Sequence, residues 1–146
     1  MKLPIKVHYA IVIMTDIAVQ GQGNTVTGND IAHRQNISFP FVSQILNKLK
    51  HAGLLESVRG GVLGGYILKG LPSMVTIKQI AEAVEAPIEI RPSEEIKTNQ
   101  MIDEIICSLW ERITEKLENI SENVTLEDII RWISEGIVTM KEGVAS

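Results

Sequence analysis

The sequence predicts a mainly α fold with one small β-hairpin, and three observations predict it. Val42, Ile45, Leu46 and Leu49 recur at the i, i+3, i+4, i+7 spacing of a single buried helical stripe. The stretch RGGVLGGYIL, Arg59 to Leu68, has glycine at four of its first seven positions and then runs into strand-forming residues. Ile102, Ile105, Ile106, Leu109, Ile113, Leu117 and Ile120 form an apolar stripe on a later helix, too broad for one small domain to cover.

The elements follow in order. A first helix spans about 4–19, with Pro4 suited to a first-turn position where its missing N–H is not needed, and GQGN ends it. A short helix spans about 29–35, with Asn29 or Asp30 as its cap. After the turn at Asn36 and Ile37, Ser38 is placed to cap a third helix that stops at Gly53. Two short apolar strands, Leu54 to Val58 and Tyr66 to Leu68, flank the glycine tip. A helix follows from about Thr76 to Val84, then the polar stretch PIEIRPSEE, a long helix from about Met101 to Ile120, and a last helix from Thr125. Thr76 with Gln79, and Thr125 with Asp128, have the spacing of capping boxes. The chain divides into a compositionally mixed unit over 1–85, a linker over 86–100 and a helical region over 101–146.

Each glycine in a strand or helix interior costs roughly 0.5 to 1 kcal/mol relative to alanine, so four in one place need a reason. A phosphate-cradling loop fails the test: Gly60 and Gly65 have the outer spacing, but Tyr66 stands where that chemistry needs lysine, and Val62 breaks the G-x-G-x-x-G register. A hairpin with its tip at Gly60 to Gly65 fits.

Composition narrows the classes further. A chain of 146 residues with 45% hydrophobic content can bury a core, and a single cysteine leaves no intramolecular disulfide framework. The first residues read as neither signal peptide nor membrane span, so the expectation is a soluble, cytoplasmic protein without a membrane partner. The net charge of −4 conceals an asymmetry. Residues 1–70 hold seven basic against three acidic side chains, a net of +4, and the remainder is −8. The basic half is the candidate for phosphate.

The third helix carries the functional signal. Its face opposite the buried stripe reads Pro40, Ser43, Gln44, Asn47, Lys48, His51 and contains no acid. Such a face offers donors, acceptors and positive charge to the major groove of double-stranded DNA. Short helix, turn, polar-faced helix and hairpin is the order of a winged helix-turn-helix, with the glycine hairpin as the wing. Glycine at Gly60, Gly61, Gly64 and Gly65 would let the wing approach DNA closely, with Arg59 at its base and Tyr66 following. No catalytic arrangement is identifiable, and His33 and His51 read as polar surface groups, so an enzyme is not expected. The alternative is a winged-helix module that binds protein without DNA, which salt dependence distinguishes.

The runs MKLPIKVHYAIVIMTDIA, DIAHRQNIS, SQILNKLKHAGLLESVRGG, GGYIL, TIKQIAEAVEAPI, SLWERI and VTLEDI together resemble the Rrf-two family of bacterial transcription regulators, over about residues 1–130. That family includes iron-sulfur sensors and a repressor of cysteine metabolism. The resemblance implies a homodimer that binds imperfectly palindromic promoter DNA, most often as a repressor, with the long helix packed against its copy through the stripe named above. Carried over, it implies Ser38, Ser43 and Gln44 as base-reading or backbone contacts, Arg59 as the wing contact, and Lys6 and Tyr9 as phosphate-side contacts. Ser43 stands where many relatives have glutamate, and SFPF brings Pro40 into the first turn of the third helix. A carboxylate accepts from cytosine while a hydroxyl is permissive, so the operator is not transferable.

The resemblance also raises an iron-sulfur cluster, and the residues argue against it. Cluster-bearing relatives place three cysteines in the segment leading into the long helix, where this chain has Glu89, Glu94, Glu95 and Asp103; its only cysteine, Cys107, falls at or beyond the end of that ligand region. A cluster takes about four soft ligands, so neither cofactor nor metal is expected. His8, which lies where some relatives draw a ligand from the other subunit, reads as a surface or DNA-side residue. Cys107, beside Ile105, Ile106 and Leu109, reads as a buried apolar residue or else a redox sensor. Without a cluster, the effector is expected to be a small molecule, a protein or oxidation of Cys107.

Overall fold

The computed structural model describes residues 3–21, 23–59, 64–85, 90 and 98–136. The chain folds as helix α1 (Ile5–Val19), α2 (Gly28–Gln35), α3 (Phe39–His51), strands β1 (Leu55–Val58) and β2 (Gly65–Leu68), α4 (Ile77–Val84), α5 (Gln100–Asn123) and α6 (Leu126–Glu135), with a 3-10 turn at Pro72–Met74. It is the mainly helical fold with one hairpin that the sequence predicts.

Local chemistry sets most boundaries. Pro4 is the N-cap of α1 rather than a residue inside it. Thr27, not Asn29 or Asp30, caps α2: its hydroxyl accepts from the Asp30 N–H at 3.1 Å, and Gly28 takes the first helical position. Asn36 ends α2 in the left-handed region, φ 54 and ψ 46, which an asparagine tolerates better than most residues. Ser38 is the N-cap of α3 by position, but its side chain makes no capping hydrogen bond there. Pro40 is accommodated because the first-turn N–H groups have no helical acceptor. At the other end, Gly53 adopts φ 79, its N–H donates to the Lys50 carbonyl, and the Leu54 N–H donates to the Leu49 carbonyl. That pair of bonds is a Schellman stop, which turns the chain into β1.

The hairpin is antiparallel, with Leu55 opposite Leu68, Ser57 opposite Tyr66 and Val58 opposite Gly65. A further segment, absent from the sequence reading, lines the free edge of β2: Val26 and Tyr66 exchange both backbone hydrogen bonds, at 3.0 and 2.8 Å. The wing is thereby stitched to the loop before α2.

Both capping boxes form as their spacing predicts, at Thr76 with Gln79 and at Thr125 with Asp128. The two caps also pair across the structure: the Ile77 N–H donates to the Val124 carbonyl and the Leu126 N–H to the Val75 carbonyl, both at 2.9 Å. The starts of α4 and α6 are therefore strapped together. As a result α6, which the sequence division groups with α5 in 101–146, packs against α1 and the Pro72–Met74 turn. Its Leu126 is fully buried in the same cluster as Ile13, Met14, Ile45, Leu46, Leu49 and Ile80.

Candidate nucleic-acid interface

The buried stripe of α3 is Val42, Ile45, Leu46 and Leu49, as the periodicity requires, and it turns the opposite face outward. Ser38, Pro40, Gln44, Asn47, Lys48 and His51 are exposed, and Ser43 is half-buried. Lys50, seven residues and so two turns from Ser43, is exposed on the same flank and adds a cation to that face.

The face is not uniform along its length. Gln44, Asn47, Lys48 and His51 form one wall of an open groove whose other wall is Glu82, Ala83, Val84 and Glu85 at the end of α4. Lys48 Nζ donates to the Val84 carbonyl at 3.4 Å. Two carboxylates thus stand beside a helix face that has none of its own, a proximity no spacing in the sequence could reveal.

Other expected contacts occupy distinct places. Lys6 is exposed on α1. Tyr9 is half-buried against the core, its ring edge-on to Phe41 at 5.3 Å between centroids. Arg59 is exposed immediately after β1, while Gly60 and Gly61 lie outside the described residues. Gly64 and Gly65 are half-buried, and Tyr66 packs against the core while its backbone bonds to Val26.

The charge asymmetry also takes a more definite form. Asp16, which interrupts the apolar run of α1, is buried, and its carboxylate accepts from Arg34 Nε at 3.1 Å, Arg34 Nη2 at 2.7 Å and Gln35 Nε2 at 2.7 Å. The hydrogen bond to Asp16 holds the Arg34 guanidinium above its ordinary value. One of the seven basic residues of the first half is therefore spent on an internal acid.

Along α5, Ile102, Ile105, Ile106, Leu109 and Ile120 are exposed, as is Met101, whereas Ile113 and Leu117 are half-buried. Cys107 is exposed, which corrects the expectation that it is buried. It stands two residues from both Ile105 and Leu109, about 200° around the helix, so sequence neighbours of that spacing point away from it.

A helical unit ending in a hairpin, with an acid-free helix face beside it, is matched at the level of sequence. The family model for Rrf2, described as an iron-dependent transcriptional regulator, matches residues 3–132. The chain belongs to the Rrf2 family. Its relatives include the HTH-type transcriptional regulator CymR of Bacillus subtilis, 32% identical over 133 residues that cover 90% of this chain and 91% of that protein. IscR of Yersinia enterocolitica is 30% identical over 131 residues, covering 89% and 79% respectively. Among solved structures, that of B. subtilis CymR, the global cysteine regulator, superposes with a TM-score of 0.76 at 29% identity over 90% of this chain and 98% of that one. IscR from T. potens superposes with a TM-score of 0.71 at 29% identity, covering 90% and 87%. This Rrf2-family chain is accordingly a helix-turn-helix transcriptional regulator and not an enzyme.

The family description names iron, and an iron-sulfur core would ask for several soft donors. Among the described residues no three His, Cys, Asp or Glu side chains converge as a metal site would require. The whole sequence supplies one thiol, and hard carboxylates do not substitute for soft thiolates on an iron-sulfur core. Among the described residues, no helix is long and apolar enough to cross a membrane.

Proposed function

We propose that this regulator binds imperfectly palindromic promoter DNA as a homodimer, represses transcription from it, and does so without an iron-sulfur cluster. The observation that carries the reading is the exposed, acid-free face of α3 held beside the wing. Ser38, Ser43 and Gln44 lie in the first half of that face and are the base-reading positions, with Gln44 at the edge of the groove that Glu82 and Glu85 line. Arg59 serves the wing contact, and Lys6 supplies charge to the phosphates. Asn47 and Lys48, turned towards α4, contribute at the margin of the contact.

The homodimer reading is supported by α5. Five large aliphatic side chains and Met101 are left in water on one helix, an arrangement that a second copy of the helix would relieve. Two copies of α3 related by a two-fold axis would then address two half-sites. The signal reaches the dimer through a small molecule, a partner protein or oxidation of the exposed Cys107.

Selection of duplexes from a random pool by the purified full chain tests the reading. Enrichment of a two-fold symmetric site is the expected result. Recovery of no preferred duplex would remove the DNA-binding assignment.

A further inference from the structure

The most demanding polar group in the described structure is the Asp16 carboxylate. Its side chain is 2% exposed, and a buried carboxylate is tolerated only when its lone pairs are met. All three donors come from the last turn of α2, two from the Arg34 fork and one from Gln35. The residues that follow are the left-handed Asn36, Ile37, whose N–H returns to the Ala32 carbonyl, and the N-cap of α3. Nothing loose separates the ion pair from the helix that faces DNA. At the far end of α2, a Cβ on Gly28 would approach Phe39 and Leu46 side chains at 3.1 and 3.3 Å, so α2 and α3 are closely packed. A change in the seating of α2 on α1 must therefore move α3.

We infer that Asp16, Arg34 and Gln35 form a positioning clamp, which fixes the angle of the α2–α3 pair on α1 and thereby the register of the two base-reading helices in the dimer. Arg34 acts through this clamp and not as a phosphate contact, although it is a basic residue of the helix-turn-helix with 37% of its side chain exposed. Its Nε and Nη2 are both committed to Asp16, and Asp30 adds a second negative charge to its surroundings. Two half-sites at fixed spacing require two helices at fixed angle, so loss of the clamp penalises the specific complex. Binding to an unrelated duplex, which rests on sequence-independent charge, is left nearly unchanged.

The inference rests on the DNA-binding reading above, and salt dependence separates the two. The duplex selected by the parent, and an unrelated duplex, are titrated across a salt series with the parent, Arg34→Ala, Arg34→Lys and Gln35→Ala. Circular dichroism checks that each variant is folded. For the selected duplex, Arg34→Ala is expected to bind about ten-fold more weakly with the salt slope unchanged, and Arg34→Lys, which keeps the charge but loses the fork, to recover little of that loss. Gln35→Ala, which removes one of three bonds, is expected to lose about two- to five-fold and carries the test if Arg34→Ala does not fold. A slope reduced by about one, with affinity restored by Arg34→Lys, would identify a phosphate contact and overturn the clamp. Folded variants that bind the selected duplex like the parent would reduce the ion pair to a stabilising contact only. A parent that selects no duplex removes the DNA-binding reading and the clamp with it, an outcome visible before any variant is made.

Discussion

A Cβ added to Gly65 would lie 2.7 Å from the carbonyl oxygen of Val26 and 2.8 Å from its carbonyl carbon. Both are backbone atoms held by the paired hydrogen bonds between Val26 and Tyr66, so neither can step aside cheaply. This wing glycine therefore has a reason internal to the fold. Gly65→Ala should destabilise the protein by about 1 to 3 kcal/mol and loosen the wing from the loop at Val26. Gly70, around which a Cβ meets nothing within 4 Å, is the control, and Gly70→Ala should be within about 0.5 kcal/mol of the parent. Urea denaturation of the two variants checks the contrast, and equal midpoints would show that the Val26 contact yields.

The DNA contacts of α3 and the wing should separate by type. Gln44→Ala is expected to relax base preference at one position of each half-site. Arg59→Ala is expected to weaken binding to all sequences by about 1 to 3 kcal/mol and to lower the salt slope if it enters a groove. Titration of the selected duplex and its single-base variants reads both, and full parental affinity in both proteins at moderate salt contradicts the assignment.

Assembly should depend on the outward side of α5. Ile105 is 63% exposed, so Ile105→Asp leaves the packing within one chain intact and is a cleaner probe than the half-buried Ile113. Sedimentation at micromolar concentration should show dimers for the parent and monomers for Ile105→Asp. A monomeric parent would remove the basis for two half-sites.

Acid should weaken the α6 cap. The Thr125 backbone N–H donates to Asp128 Oδ2 at 2.9 Å, and this bond, with smaller help from the Thr125 hydroxyl and Arg131, holds the Asp128 carboxyl below the ordinary carboxylate range. A depressed folded value means that the stabilisation is complete above the unfolded value, about 4, and is lost as pH falls through the folded one. Asp128→Asn should unfold earlier in urea than the parent at pH 7, and the two should converge as pH is lowered well below about 4. A gap that persists in acid would show that charge on Asp128 is not what the cap uses.

What could be read from the residues was what depends on short range. The stripe of α3, the stop at Gly53 and the capping boxes at Thr76 and Thr125 each involve positions within a few residues, where spacing alone brings groups together. The pairing of Asp16 with Arg34 and of Val26 with Tyr66 joins positions far apart in the chain, and no periodicity encodes it. By spacing alone Asp16 is only a break in the apolar run of α1, whereas in the structure it is the anchor beneath α2. The docking of α6 on α1 escaped for the same reason. Cys107 was misplaced because its apolar neighbours Ile105, Ile106 and Leu109 are themselves exposed along α5, so lying among them does not bury it. For the candidate site, the acid-free face was legible, but the carboxylates of Glu82 and Glu85 beside its second half were not.

Whether this regulator reads DNA through α3 and the wing is decided by the salt dependence of binding between the full chain and the duplex it selects. Log affinity should fall linearly and steeply with log salt, at a stoichiometry of one dimer per duplex, because bound phosphates release counterions. Affinity that is insensitive to salt, or a chain that enriches no duplex at all, would contradict it.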